Sequence, residues 1–309
     1  MTTIKDLLSA RGLAPKKSLG QNFLVDHNLI KKLVDVSGVQ AGELALEIGP
    51  GTGVLTDELL SRNVRVIACE LDDGLHALLQ DRLAEQISSG QLTLIKGDCL
   101  DGKRALNPGL RRLLRESSGQ SDYVAGAAPP TPRRLDISTP SFRLIANLPY
   151  GAATPLMTNL LLDYPGCSGL FVTVQKEVGD RFGALPDTPD YGPLSVIAFA
   201  TTHVERIAKL PPECFWPRPD VTSAMIALRR RADPLTPRLH ELADFVQAVF
   251  EQRRKQLGGI LREKFSVREP FAYPEGVSPK SRAENLSPRQ LLALMLAVEG
   301  GTSRTGAVS

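Results

Sequence analysis

The stretch Leu46-Glu47-Ile48-Gly49-Pro50-Gly51-Thr52-Gly53 constrains this chain more than any other, because an apolar run stops there in three glycines and a helix-like segment starts directly after it. It reads as strand, tight loop, helix. Glycine has no Cβ, so the backbone can take positive φ angles and come close to a ligand. A ligand containing a nucleoside suits such a loop. Gly-x-Gly-x-Gly after a first strand occurs in dinucleotide folds and in methyltransferases that use S-adenosylmethionine (SAM). The strand ends beside the loop must separate the two.

Residues 44–48 form a buried strand and 54–61 its helix. A second strand, 64–70, ends in Glu70 and leads into a helical run over 74–87. A third, 92–95, runs into Lys96-Gly97-Asp98. Strands alternating with helical patterns predict a parallel, doubly wound α/β sheet with its ligand at the carboxyl ends of the strands. From 107 to 140 the pattern fails in a long polar stretch rich in serine, proline and glycine, which reads as a mobile insertion. Order returns with a strand over 142–146 that enters Asn147-Leu148-Pro149-Tyr150. A helix over 154–162, a strand over 169–175, a helical turn over 177–182 and a strand over 223–229 follow.

Beyond about residue 234 the chain turns helical. Leu239, Leu242, Phe245, Val246, Val249 and Phe250 recur at spacings of three and four, marking one apolar helix face. Ser287-Pro288-Arg289-Gln290 fits a capping box with proline at the first helical position, and Gly300 stands where that helix would end. The expected organisation is a catalytic α/β domain over 1–232, a small all-helical domain over 233–300 and a frayed tail over 301–309.

Composition narrows the function. The chain has 309 residues, 42% hydrophobic and 23% charged, enough for a large core in two domains. No apolar run approaches the roughly 18 residues of a membrane span, and no signal-peptide core opens the chain, so a cytoplasmic protein without a membrane partner is expected. Cys69, Cys99, Cys167 and Cys214 are far apart, as are the four histidines, and neither set has metal-ligand spacing. The net charge of +3 is small, but Lys16-Lys17, Arg111-Arg112, Arg133-Arg134, Arg229-Arg230-Arg231 and Arg253-Arg254-Lys255 are clustered. Five basic clusters point to a polyanionic partner, although each alone also fits a solvated face.

Glu70 follows the glycines at the distance of an acid that accepts ribose hydroxyls in either cofactor class. The strict dinucleotide pattern asks for a third glycine where this chain has Val54, which favours SAM over NAD. Asp98 could accept a hydrogen bond from an adenine amine, or merely cap a turn. Asn147-Leu148-Pro149-Tyr150 offers an amide oxygen, carbonyls freed by proline from regular pairing and an aromatic face, a set suited to a planar base with an exocyclic amine. An adenine amine is a poor nucleophile because its lone pair is delocalised. Acceptors that hold both hydrogens at a pyramidal geometry would localise that pair, leaving positioning and electrostatics to carry the reaction.

Together with Gly20-Gln21-Asn22-Phe23-Leu24, Gln175-Lys176-Glu177-Val178, Tyr191-Gly192-Pro193-Leu194-Ser195, the 215–223 segment, Arg253-Arg254-Lys255 and Arg282-Ala283-Glu284-Asn285-Leu286-Ser287, these motifs resemble the KsgA/RsmA family of small-subunit rRNA adenine dimethyltransferases. The resemblance is ordered and spans 16 to about 297. It implies a Rossmann-like SAM-dependent methyltransferase that dimethylates the N6 amines of two adjacent adenosines near the 3′ end of 16S rRNA in the immature small ribosomal subunit. It further implies release of S-adenosylhomocysteine and action as a monomer. Carried over, Asn22, Leu24, Gly49, Glu70, Asp98 and Asn147 line the SAM site with Gly51 in its loop. Asn147 and Pro149 orient the target amine, and Tyr150 and Phe215 sandwich the adenine. Phe215 reads equally well as a core residue. Arg253-Arg254-Lys255 would contact rRNA backbone.

Two features depart from the family pattern: the length of the 107–140 insertion, and Trp216 where a small residue is usual. Three other functions compete. One is the related large-subunit (23S) rRNA dimethyltransferase of the antibiotic-resistance type. Another is a non-catalytic ribosome-assembly or RNA-binding factor, against which intact Gly49, Glu70, Asp98 and Asn147 argue. The third is an NAD oxidoreductase, for which no hydride-transfer site is found.

Overall fold

The computed structural model describes residues 4–103, 105–117 and 141–305. Among them nine strands follow in chain order: β1 (Phe23–Leu24), β2 (Leu44–Ile48), β3 (Arg65–Glu70), β4 (Leu92–Lys96), β5 (Phe142–Asn147), β6 (Cys167–Gln175), β7 (Thr202–Leu210), β8 (Phe215–Trp216) and β9 (Ser223–Arg230). Seven make one sheet in the order β4-β3-β2-β5-β6-β9-β7, while β1 and β8 pair as a separate antiparallel ribbon. β4, β3, β2, β5 and β6 are mutually parallel, and β9 is antiparallel to β6. Parallel strands are covered by helices on both faces, which is why all five residues of β2 are apolar or buried and none alternates outward.

The expected doubly wound sheet is therefore present. Its order turns back between β2 and β5, and the crevice at the carboxyl ends beside such a turning point is where open α/β sheets bind ligands. Counted from β2, the sheet strands run 3-2-1-4-5-7-6, so antiparallel β9 interrupts the 3-2-1-4-5-6 order of dinucleotide-binding sheets. The sequence reading overlooked β7, whose exposed Glu205, Arg206 and Lys209 hide its strand character, and the ribbon, whose partners lie some 190 residues apart. The helical run over 74–87 is two helices, Asp73–Arg82 and Ala84–Ser88.

The stretch 107–140, expected to be a mobile insertion, begins instead with a helix, Pro108–Ser117. The Asn107 side-chain oxygen accepts the Gly109 N–H at 2.8 Å, Pro108 takes the first helical position, and Leu110 and Leu114 turn inward. Residues 118–140, with Arg133-Arg134, lie outside the described residues. At the other end, the helix Pro288–Thr305 continues past Gly300, so the tail expected to fray from 301 is helical to 305. Glycine inside a helix costs about 1 kcal/mol without ending it, and Gly300 has no positive φ. The capping box at its start is formed: Ser287 Oγ accepts the Gln290 N–H at 3.3 Å, and Gln290 Oε1 accepts the Ser287 N–H at 3.0 Å.

The chain separates into two compact units. One runs to Gly179 and resumes over Glu205–Arg230; the other joins Asp180–Val204 to the chain from Arg231 onward. The sequence reading put 180–204 with the first unit. Here Tyr191, Val196 and Ala200 share a buried cluster with Leu242, Val246, Val249 and Leu291, and the Tyr191 hydroxyl donates to the Leu286 carbonyl at 2.7 Å. Apolar burial of that segment decides its membership.

Candidate active site

Gly49, Gly51 and Gly53 turn the chain from β2 into the helix Val54–Ser61 with φ angles of 67°, 62° and 82°. Two of them are also required for space. A Cβ on Gly51 would lie 2.8 Å from the Phe23 ring, and one on Gly53 would run into Arg82 Nη2 and lie 2.7 Å from Leu79 Cδ2. Arg82 braces the loop from behind, donating to the Thr52 carbonyl at 2.8 Å and to Asp57 at 2.7 Å. Nothing local in the sequence marks Arg82 for that task.

Of the groups expected at the strand ends, Glu70 and Asn147 meet this loop, and Asp98 stands on the neighbouring strand end. Glu70, at the end of β3 and 5% exposed, accepts the Gly51 N–H at 3.0 Å on Oε2 and the Asp72 N–H at 2.9 Å on Oε1. Burial lifts its carboxyl above the ordinary range, against the pull of those two N–H groups. Asp98, beyond β4, is exposed and accepts the Leu100 N–H at 2.9 Å, so it does cap a turn, with its second oxygen outside that bond. Asn147, ending β5, donates from Nδ2 to the Asn22 carbonyl at 2.9 Å, which leaves its amide oxygen as an acceptor.

Leu24, Gly49 and Asn147 share the wall of one cavity of about 30 Å³ with Phe23, Pro50 and Glu47. Pro149 packs beside Gly49, and its carbonyl already accepts the Ala152 N–H at 3.1 Å, so it is less free than its place before Tyr150 suggested. Tyr150 is half-buried, its hydroxyl 3.3 Å from Ser223 Oγ. Phe215 is not brought to an open face with it. Paired opposite Leu24 in the ribbon, Phe215 is 4% exposed and belongs to the core. Its neighbour Trp216 is part-exposed and stacks on Phe23 with centroids 6.3 Å apart.

Two site residues escaped the sequence reading. Glu47 is fully buried in β2 beside the cavity, accepts the Thr56 hydroxyl at 2.8 Å and has its carboxyl pushed up to about 8 by burial. Leu71 is 48% exposed directly after Glu70, an apolar surface where the other strand ends offer polar groups. An apolar residue directly after the acid that ends β3 was the available signal.

Two arginines of the basic clusters are held by the fold rather than left to solvent. The half-buried Arg230 guanidinium donates to the carbonyls of Leu160, Leu161, Tyr164 and Cys167 at 2.7 to 3.1 Å, closing the end of the helix Ala153–Asp163. Arg229 lies over the Phe171 ring at 5.0 Å. Arg253 binds Glu284 at 2.8 Å and the Pro189 carbonyl at 2.9 Å, while Arg254 is exposed.

Sheet order, a glycine loop at the turning point and a buried acid on the next strand define a Rossmann-like α/β protein. Residues 12–299 match the family model described as ribosomal RNA adenine dimethylase, and the chain belongs to that family. A Moorella thermoacetica protein named ribosomal RNA small subunit methyltransferase A is 36% identical over 294 residues, covering 93% of this chain and 94% of that protein. One of the same name from Bacillus thuringiensis is 34% identical over 300 residues, covering 94% and 93%. Among solved structures, a dimethyladenosine transferase from Plasmodium falciparum superposes with a TM-score of 0.64 at 19% identity, over 90% of this chain and 97% of that one. The 23S rRNA methyltransferase ErmE gives 0.58 at 23%, over 90% and 99%. These two structures share the fold. Among the described residues no helix is long and apolar enough to cross a membrane.

Proposed function

We propose that this chain uses SAM to dimethylate the N6 amines of two adjacent adenosines near the 3′ end of 16S rRNA, acting as a cytoplasmic monomer on the immature small ribosomal subunit. The observation that carries the reading is Asn147. Its amide is pinned through Nδ2 to Asn22, so that its oxygen is the acceptor at a cavity shared with Gly49. The small-subunit relatives, matched over more than nine-tenths of both chains, favour this substrate over the large-subunit alternative.

The donor set suits SAM. Each Glu70 oxygen keeps a lone pair beyond its backbone bond and would accept a ribose hydroxyl. Exposed Leu71 offers an apolar face to an adenine ring and Asp98 an acceptor for its amine, while Asn22, Leu24, Gly49 and Gly51 line the loop side. When bound, SAM supplies an electrophilic methyl group on its sulfonium. The chain's own part is to orient the nucleophile. The Asn147 oxygen and the second lone pair of the Pro149 carbonyl would hold the two hydrogens of the target amine, so that its lone pair points at the methyl group without a strong base. The target base must leave its stack, and Tyr150 offers a ring to receive it; Phe215, buried as it stands, does not.

The test is transfer of labelled methyl from SAM by the purified protein to unmethylated small subunits, with large subunits in parallel. Label in small-subunit RNA is the expected result. Label confined to large-subunit RNA, or absent from both, would refute the proposal.

A further inference from the structure

Residues 16–24 cross the carboxyl edge of the sheet as a strap. Near one end, Lys16 and Gln21 meet Asp72, just past β3; in the middle Phe23 packs against Gly51; and Asn22 reaches Asn147 at the end of β5. Little regular structure holds it there: one 3-10 turn over Lys17–Leu19 and the two-residue pairing of β1 with β8.

We propose that Lys16, Gln21 and Asp72 form a clasp that keeps this strap closed over the glycine loop, thereby positioning Asn147 and setting how long the cofactor stays bound. The proposal rests on the function given above.

The clasp divides the Asp72 carboxylate between two tasks. Oδ1 caps the helix Asp73–Arg82 by accepting the N–H groups of Gly74 and Leu75 at 2.9 and 3.0 Å. Oδ2 takes the Lys16 ammonium at 2.7 Å and the Gln21 amide at 3.3 Å, and Gln21 Oε1 in turn accepts the Lys16 N–H at 2.7 Å, which closes the strap on itself. The Asp72 side chain is 3% exposed and Lys16 is 53% exposed. A carboxylate that deep resists losing its cationic partner, because the charge would be left without water or counter-charge. Burial alone would raise its pKa, yet the Lys16 ammonium and the Leu75 N–H hold it below the usual range. The clasp therefore stays ionised at neutral pH.

Two short paths lead from the clasp to the reacting groups. The Asp72 N–H binds the same Glu70 carboxylate that holds the Gly51 N–H. At the far end the Asn22 carbonyl decides which way the Asn147 amide points. Turned over, that amide would set its oxygen against the Asn22 oxygen and offer NH2, a donor, to an amine that needs acceptors. Lys16, Gln21 and Asp72 are on this account positioning residues, acting through Asn22, Glu70 and Gly51.

Asp72→Asn separates the two tasks, since asparagine caps a helix as well as aspartate does while the ion pair is lost. Lys16→Met breaks the clasp from the other side, and Lys16→Arg preserves the charge. The readouts are dissociation of S-adenosylhomocysteine and hydrogen exchange at the Asn22, Phe23 and Gly51 amides. Dissociation should quicken about tenfold in Asp72→Asn and in Lys16→Met, the loss typical of one charge-assisted hydrogen bond. The double variant should be no worse than the poorer single, and Lys16→Arg should recover most of the effect. Exchange at the three amides should rise while that of the β2 and β5 core stays slow, and kcat at saturating cofactor should fall as Asn147 loses its orientation. Unchanged dissociation and exchange in Asp72→Asn and Lys16→Met would overturn the clasp, as would exchange that rises equally across the whole unit. If the wild-type protein bound no S-adenosylhomocysteine, the functional reading would fail, and the exchange data, which need no cofactor, would still decide the clasp.

Discussion

Replacing Gly51 with alanine puts a Cβ 2.8 Å from Cε1 and 2.9 Å from Cδ1 of Phe23, at a backbone φ of +62°. The left-handed backbone costs an L-residue about 1–2 kcal/mol. The overlap adds about 1–3 kcal/mol, as for an extra methyl forced into a packed site. Phe23 has little room to retreat, being 8% exposed and stacked on Trp216. The sum is about 2–5 kcal/mol off the stability of the fold, and because the loop whose N–H is held by Glu70 must shift to relieve it, S-adenosylhomocysteine affinity should fall as well. Calorimetric titration and urea unfolding measure the two effects. Adding Phe23→Ala separates them, because it removes the Cδ1 and Cε1 atoms in the way and leaves φ as it was. The double variant should regain the packing part relative to Phe23→Ala alone. Wild-type affinity and midpoint in Gly51→Ala would show that the loop tolerates a side chain, and no relief from Phe23→Ala would show that the ring is not the obstacle.

Further outcomes follow from buried charge. Glu47 keeps its proton up to about pH 8 when folded, whereas an unfolded glutamate loses it near 4.3. Between those values the unfolded chain binds fewer protons, so this group makes stability fall as pH rises, by at most about 1.4 kcal/mol per pH unit, and the slope ends above pH 8. Glu47→Gln should flatten that part of a urea-midpoint series from pH 5 to 8. Arg230→Met should cost about 2–4 kcal/mol of stability, since it leaves buried carbonyls at a helix end without donors. The same change should leave the salt dependence of RNA binding unaltered, whereas loss of a phosphate contact would lower its slope by about one.

The parts of the fold legible in the sequence were those written in local pattern. Glycines at Gly49, Gly51 and Gly53 demand a loop, apolar runs flanking helices demand a parallel sheet, and the polar residues that end its strands, Glu70, Asp98 and Asn147, must then lie on one edge. Features that depend on distant partners were hidden. Arg229-Arg230-Arg231 spells a surface patch, yet Arg230 turns in because the helix Ala153–Asp163 ends where its guanidinium can reach four carbonyls. The sequence leaves Phe215 open between a base-stacking ring and a core residue, and the two-residue ribbon with β1 puts it in the core. Lys16 reads as half of a basic pair, while its partner Asp72 lies more than fifty residues further along the chain.

On the proposed function, Asn147 presents an acceptor to an adenine amine beside the glycine loop. The most direct measurement is nucleoside mass spectrometry of small-subunit RNA after incubation of unmethylated subunits with SAM and either wild-type protein or Asn147→Ala. N6,N6-dimethyladenosine is expected from the wild type and none from the variant, with subunit binding retained by both. Dimethyladenosine formed at the wild-type rate by Asn147→Ala, or none formed by the wild type, would contradict it.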